Sequence, residues 1–384
     1  MPRLEGVDFV KGVAITAIIM FHTFEAIYGY PGHDLFGFLQ WGIVRFYLGY
    51  FSFTGSPSIG LLHLTCLGYQ GVHVFIVLSG ILQMRAYRDR EFNNREFYTK
   101  RFLRLYPIYW LVILLVIILN LIVHGNIGAT PTQIILLIFG WAGVGLPFNS
   151  ALWFMGLILQ LYLVFPLLLA IFRNYGEQKF LLGTWIVSVF SLFFFPPPYV
   201  GLFFMGWLFE FCVGMVLANY YSRVESIIHG IKPMALLLLA YILGLVLSNF
   251  RIGWPLGRPL YGIALTLLIW SIYSTIKEVD IFKLPRRFFV FMGLISFPLW
   301  LINQPFMQEY YLLIGSPDLT FRSQIGGDLA NFGILPISKF LLIELSYSAL
   351  IIILSIILAK LDDRISRVIS ARANKLKSHA SKII

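Results

Sequence analysis

Charged residues are scarce in this chain of 384 residues. Asp, Glu, Lys and Arg together make up 12% of it, whereas 59% of its residues are hydrophobic. Because a soluble domain usually carries about a quarter charged residues, the composition excludes an ordinary water-soluble fold. Apolar runs of roughly 20 residues recur along the chain, and each is long enough to cross a bilayer as a helix. The sequence therefore predicts an all-α, polytopic integral membrane protein.

Cysteine and acidic residues are also scarce. The two cysteines, Cys66 and Cys212, fall in predicted membrane segments without the spacing of a metal site or a disulfide framework, so we expect packing roles and no bound metal. The 18 acidic residues face 29 basic ones, a net charge of +11. In a soluble protein this excess would suggest a nucleic-acid partner. In a membrane protein the positive-inside rule explains it, and we expect none.

Ten membrane helices are predicted. The segment 28–64 between the first two is too apolar for a free linker and fits an interfacial or re-entrant element, and 124–150 is short for a span. No small-residue cleavage site follows the first helix, so no cleaved signal is expected. The predicted helices are about 7–27, 66–85, 105–123, 151–172, 180–195, 202–220, 234–250, 259–276, 289–312 and 337–359.

The distribution of basic residues orients these helices. With ten spans, 24 of the 29 Lys and Arg residues fall on the side that carries both termini, and five fall on the other side. The positive-inside rule then places both termini in the cytoplasm of a multi-pass cell-membrane protein. We expect one membrane domain over 1–360 and a basic cytoplasmic tail over 361–384.

The first helix carries an ionisable stripe. Lys11 and His22 are eleven residues apart, which returns to within about 20° on a helix and separates them by about 16 Å along its axis. Asp8 and Glu25 lie one turn outside this pair. His22 is a candidate general base for a hydroxyl, and Glu25 could hold its tautomer. The alternative is a packing histidine with a lysine that reaches the membrane surface.

A second cluster opens the third helix. Arg101 and Arg104 lie one turn apart beside Lys100, where guanidinium groups could bind a phosphate-rich donor. The alternative, which sequence physics alone favours, is simple anchoring of the helix at the cytoplasmic face, next to an aromatic belt.

The second helix contains two further candidates. Ser79 and Gly80 in GVHVFIVLSG permit close helix packing, and Ser79 lacks the surroundings of a nucleophilic serine. His73 is a second buried imidazole, for which core polar packing is the expected role.

Later helices contain polar or aromatic residues that could bind substrate. Gln160 could instead bond another helix, and an intramembrane carboxylate needs a partner. Glu344 in the last helix is a similar intramembrane carboxylate, but it looks isolated and is the weakest of these candidates. The substrate-binding candidates are Trp153, Gln160, Glu210 and Asn303.

Six stretches, in order along almost the whole chain, resemble acyltransferase family 3, the membrane O-acyltransferases of cell-surface and extracellular glycans. Each is weak alone, but together they are specific. The stretches are GVDFVKGVAITAIIMFH, GVHVFIVLSGIL, RFLRLYPIYW, LWFMGLILQLYLVFP, LFEFCVGMVLAN and ISFPLWLINQP.

The resemblance implies a reaction. An acyl group, expected to be acetyl, would pass from cytoplasmic acyl-CoA, a co-substrate and not a resident cofactor, to a hydroxyl of an extracytoplasmic glycan or lipid-linked sugar. His22 would be the catalytic base in a direct transfer, and Lys11 would replace the family's usual arginine. The alternative is an acyl intermediate carried by the histidine. Arg101 and Arg104 would contact the donor, with Lys100 and Ser79 beside them.

Three positions depart from the family pattern. Lys11 lacks the bidentate fork of arginine. Asn303 occupies a position where a histidine is common, and His73 one that is often acidic. The competing class is a glycan or lipid transporter or flippase without covalent chemistry, which ten spans and intramembrane Glu210 also suit. A scaffold subunit is the third alternative. The oligomeric state is not readable from the sequence.

Overall fold

The computed structural model describes residues 4–28, 64–127, 129–140, 152–194, 203–248, 250, 253–313 and 337–380, and no strand occurs within these ranges. The predicted all-α class is confirmed. Short 3-10 turns cover Leu64–Gln70, Phe204–Trp207 and Asp280–Phe282. The α-helices are α1 (Glu5–Tyr28), α2 (Gly71–Tyr87), α3 (Asn94–His124), α4 (Pro131–Ile138), α5 (Trp153–Phe194), α6 (Leu208–Leu217), α7 (Tyr221–Ile227), α8 (Ile231–Ser248), α9 (Trp254–Ile276), α10 (Lys283–Leu294), α11 (Ser296–Leu313) and α12 (Ile337–Ala380).

Seven helices of the described ranges are long and apolar enough to cross a membrane: α1, α2, α3, α5, α8, α9 and α12. The pair α10 and α11 is bent by 77° at its junction and adds an eighth if it counts as one span. The chain is therefore a multi-pass membrane protein. The predicted interfacial element at 28–64 lies almost entirely outside the described residues.

Burial separates central from peripheral helices. The membrane windows of α1 and α2 are 67% buried within the protein, whereas that of α8 is 11% buried. The two helices that carry His22 and Ser79 thus lie inside the bundle, and most of the apolar surface of α8 is exposed at its periphery.

Helix α5 is two helices joined at Gly176. Its backbone there has φ 75° and ψ 173°, which a residue with a side chain rarely adopts. The Phe172 and Phe180 ring centroids are 5.4 Å apart, although eight residues of straight helix would span about 12 Å. The chain turns back sharply, and the two arms match the separate helices predicted at 151–172 and 180–195.

Basic segments from different parts of the chain meet at one end of the bundle. The Arg173 guanidinium donates to the backbone carbonyls of Tyr87, Arg88 and Arg90 at 2.8–2.9 Å. Arg88 in turn donates to Asn219 at 3.2 Å. We call this end, where the α2–α3 loop, the α5 turn and the segment before α7 meet, the basic end.

Ion pairs bring further segments to the basic end. Lys277, after α9, lies 4.0 Å from Glu225 of α7, and Arg286 of α10 lies 3.4 Å from Glu5 of α1. At the C-terminal side, α12 continues without interruption to Ala380, so the predicted boundary at 360 falls within a continuous helix.

Two helix crossings bring backbones into direct contact. A Cβ on Gly80 would stand 2.0 Å from the Phe211 carbonyl oxygen, and one on Gly214 would stand 2.2 Å from that of Val77. Helices α2 and α6 therefore meet through facing glycines, as small residues allow in membranes. Gly12 of α1 approaches α10 in the same way.

We expect Gly80→Ala to destabilise the protein, because the new methyl group collides with the α6 backbone and the helices must separate. Overpacking of this kind costs about 1–3 kcal/mol or more. The measurement is thermal unfolding of the detergent-purified protein. Gly183→Ala is the control, since nothing lies within 4 Å of its Cβ position. Equal melting temperatures for the two variants would contradict the close crossing.

Candidate active site

His22 lies inside the bundle and contacts the late helix α11. Its Nδ1 atom is 2.6 Å from Nδ2 of Asn303, a side chain that is completely buried. Tyr347 of α12 donates a hydrogen bond to the Asn303 backbone carbonyl. Three helices that are distant in sequence therefore meet at the imidazole.

A carboxyl group lies beside this contact. Glu344 of α12 is within hydrogen-bonding reach of Thr23, the residue after His22, and of Ser348 at 3.1 Å. The expectation that Glu344 is isolated is therefore wrong. Its position could have been read from the spacing, because Glu344, Tyr347 and Ser348 share one face of α12.

Lys11 forms an ion pair within its own helix. Its Nζ atom is 2.8 Å from Asp8 Oδ1, one turn earlier. Between Lys11 and His22, the stripe is filled by Ile15 and Ile18, which are buried against the protein. Glu25 belongs to α1, but its side chain lies outside the described residues.

Arg101 points into the bundle. Its Nη2 atom donates to Gln83 of α2 at 2.8 Å, and its guanidinium lies 5.5 Å and 5.3 Å from the ring centres of Phe97 and Tyr162. Its Nε atom has no hydrogen-bond partner within the described part of the chain. The guanidinium is thus held in place, and among the described residues its Nε–H remains free to donate a further hydrogen bond.

The other two cations of this cluster point elsewhere. Arg104 is exposed and interacts electrostatically with Asp362 of α12, and exposed Lys100 pairs with Glu96. These three residues are close in sequence, yet their side chains separate in space. Ser79, half-buried on α2, lies one turn from Gln83 on the same helix face, near the partner of Arg101.

Trp153 and Gln160 connect α5 to the turn before α6. The Gln160 Oε1 atom accepts a hydrogen bond from the Phe204 backbone N–H at 3.2 Å. The Trp153 ring lies 5.8 Å from that of Trp207. The sequence predicts that Gln160 either binds substrate or bonds another helix. The structure shows a bond to another element of the protein.

Glu210 belongs to a buried polar network. His73 Nδ1 lies 2.8 Å from its Oε2 atom, and the Tyr261 hydroxyl lies 2.8 Å from His73 Nε2. Arg258 approaches the other carboxylate oxygen to 3.8 Å and stacks over Trp207 at 3.6 Å. Glu210 has 1% of its surface exposed, so its contacts are with α2 and α9. His73 has the core polar role predicted for it.

A cavity of about 420 Å³ lies on another side of α1. It is mainly apolar, and Val13, Ala17 and Met20 line it from α1. These residues face away from the stripe of Lys11 and His22. Neither His22 nor Arg101 lines this cavity.

We expect Glu210→Ala to destabilise the protein by about 3–5 kcal/mol, because it leaves Arg258 buried without its carboxylate. Glu96→Ala is the matched control: it also removes a glutamate from an ion pair, but both partners are more than half exposed. Thermal unfolding in detergent measures both. A Glu210→Ala variant as stable as Glu96→Ala would contradict the network.

Comparison with known proteins gives two findings. A family model described as "Acyltransferase domain" matches residues 4–360. A protein of Acidianus two-tailed virus, named "Putative acetyltransferase ORF330", is 24% identical over 291 residues, which cover 68% of this chain and 82% of the viral protein. No solved structure gives a significant match.

Proposed function

The chain belongs to acyltransferase family 3, and we propose that it transfers an acyl group, in the simplest case acetyl, from cytoplasmic acyl-CoA to a hydroxyl of an extracytoplasmic or lipid-linked glycan. The observation that carries this proposal is the placement of two groups. Arg101 is held with its guanidinium inward near the basic end, and His22 lies deeper in the bundle with one ring nitrogen bound to Asn303.

Arg101 suits the donor. Coenzyme A carries phosphates, and a guanidinium with a free N–H binds such groups through charge-assisted hydrogen bonds. The Phe97 and Tyr162 rings hold the group in place, so little side-chain freedom is lost on binding. Arg104 and Lys100 would add to the positive field around the entrance.

His22 has the properties of a base for the acceptor hydroxyl. Its free ring nitrogen takes the proton from the acceptor hydroxyl as the oxygen attacks the thioester carbonyl. The C–O bond forms, the C–S bond breaks, and the coenzyme A thiolate leaves with the proton that the imidazolium returns. We propose direct transfer between donor and acceptor by this step.

The proposed topology has ten spans and both termini in the cytoplasm. It treats the arms of α5 as two spans, the bent pair α10 and α11 as one, and the apolar helix Phe204–Leu217 as a short one. Clustering of basic segments at one end of the bundle supports a single cytoplasmic face.

We expect His22→Ala to lower kcat by about 10²–10⁴-fold or more, because the acceptor hydroxyl loses its general base. The assay is transfer of radiolabelled acetyl from acetyl-CoA by the purified protein to a polysaccharide acceptor, with hydrolysis recorded in parallel. His124→Ala, an exposed histidine at the end of α3, is the control.

The wild-type protein in the same assay separates the classes of function. Transfer or hydrolysis supports the acyltransferase. A protein that binds glycan and moves it across proteoliposomes without consuming acetyl-CoA would instead be a transporter. Acyl transfer by His22→Ala at the wild-type rate would show that His22 is not the catalytic base.

We expect Arg101→Ala to raise KM for acetyl-CoA about tenfold or more, because hydrogen bonds to a charged group are lost. Arg95→Ala removes an exposed arginine near the start of the same helix and should leave KM unchanged. Steady-state kinetics over a range of acetyl-CoA concentrations measures both. Equal KM values for the two variants would rule out Arg101 as the donor site.

A further inference from the structure

The Asn303 contact leaves one nitrogen of His22 for chemistry. A neutral imidazole has one N–H and one nitrogen with a free lone pair. Among the described residues, the ring's one hydrogen bond joins Nδ1 to the Asn303 amide. Any proton taken from a substrate must therefore go to Nε2.

Nε2 can take a proton only in one tautomer. When Nδ1 carries the hydrogen, the Nε2 lone pair is free and the ring is a base. When Nδ1 is instead the acceptor, Nε2 already carries the hydrogen. The group on Asn303 that faces Nδ1 thus decides whether His22 can act as a base.

The amide of Asn303 can present either atom to the ring. Its oxygen and nitrogen exchange places by a half-turn that keeps the shape of the side chain. In the structure Nδ2 faces Nδ1 at 2.6 Å, and Oδ1 has no hydrogen-bond partner in the part of the chain described. A separation of 2.6 Å is below the usual range of about 2.7–3.2 Å for N–H···O bonds and suits oxygen, the smaller atom, better than nitrogen.

Within the part of the chain that the structure describes, Asn303 is the side chain that forms a hydrogen bond with the His22 ring. The Glu344 carboxyl interacts with Thr23 and Ser348, not with the ring. Asn303 is completely buried, and Tyr347 holds its backbone carbonyl. A substrate would have to displace the imidazole or open the helix packing to reach this amide.

We infer that Asn303 is a positioning residue: its side-chain oxygen accepts the Nδ1–H of His22 and holds the tautomer whose Nε2 takes the acceptor proton. The same bond stabilises the imidazolium that forms, as the aspartate does in a Ser-His-Asp triad. This role replaces the substrate contact expected for Asn303, and it rests on the proposed function of His22.

Two variants test the inference. Asn303→Leu has nearly the same volume and no hydrogen bond, whereas Asn303→Asp offers acceptors only. We expect Asn303→Leu to lower kcat about 10–100-fold or more, as loss of an orienting partner does, with KM for acetyl-CoA and acceptor within about twofold of wild type. Asn303→Asp should keep kcat within about tenfold of wild type, because a carboxylate oxygen replaces the amide oxygen.

Three results would overturn the inference. One is unchanged kcat in Asn303→Leu. A second is loss of kcat in Asn303→Asp at an unchanged melting temperature, which would mean that the amide N–H₂ is the working group. The third is a rise in acceptor KM in both variants, which would restore a substrate contact. If Asn303→Leu does not fold, Asn303→Asp still tests whether the amide acts as acceptor or donor, because aspartate keeps the acceptor oxygen and lacks the N–H₂ donor: retained kcat supports the inference, and loss of kcat at an unchanged melting temperature overturns it.

The same series distinguishes this inference from the proposed function. Wild-type transfer with an inactive His22→Ala variant keeps the function even where Asn303 proves dispensable. Absence of acyl transfer by the wild-type protein would remove the function and the inference together.

Discussion

A polar group buried in a bilayer without a partner costs several kcal/mol, and this constraint organises the interior of the bundle. Each intramembrane polar side chain discussed above finds its contact on another helix or one turn away. Glu210 contacts His73 and Arg258, and Gln160 receives the Phe204 N–H. These bonds fix which helices can be neighbours, so they also fix where His22 and Arg101 stand.

The hydrogen bonds and ion pairs between these side chains divide the buried polar residues into two groups. The network around Glu210 joins α2, α6 and α9, and its oxygens and nitrogens are directed at one another. The contacts around His22 and Arg101 involve fewer groups: Asn303 contacts the imidazole, and Gln83 accepts from the Arg101 guanidinium, whose Nε has no hydrogen-bond partner within the described ranges. A free N–H on a guanidinium that is held in place is what binding of a phosphate-rich donor requires.

Much of the architecture could be predicted from the sequence, because hydropathy and proline or glycine breaks are local properties. The helical class and the turn between the arms of α5 follow from them. Side-chain partners could not be predicted, because they depend on which helices touch. Lys100, Arg101 and Arg104 are close in the chain, yet only Arg101 turns inward, since helix residues one apart point about 100° apart and residues three apart about 60°. For Glu344 the sequence carried a usable signal, the shared face with Tyr347 and Ser348.

The central claim is that acyl-CoA enters past Arg101 and places its thioester at His22. The most direct measurement is a cryo-electron microscopy structure of the protein with a non-hydrolysable acyl-CoA analogue. We expect phosphate oxygens on the Arg101 guanidinium. We also expect an acyl carbonyl close enough to His22 Nε2 that an acceptor hydroxyl fits between them at hydrogen-bond distance, about 2.6–3.2 Å. An analogue bound in the cavity lined by Val13, Ala17 and Met20, in contact with neither Arg101 nor His22, would contradict this proposal.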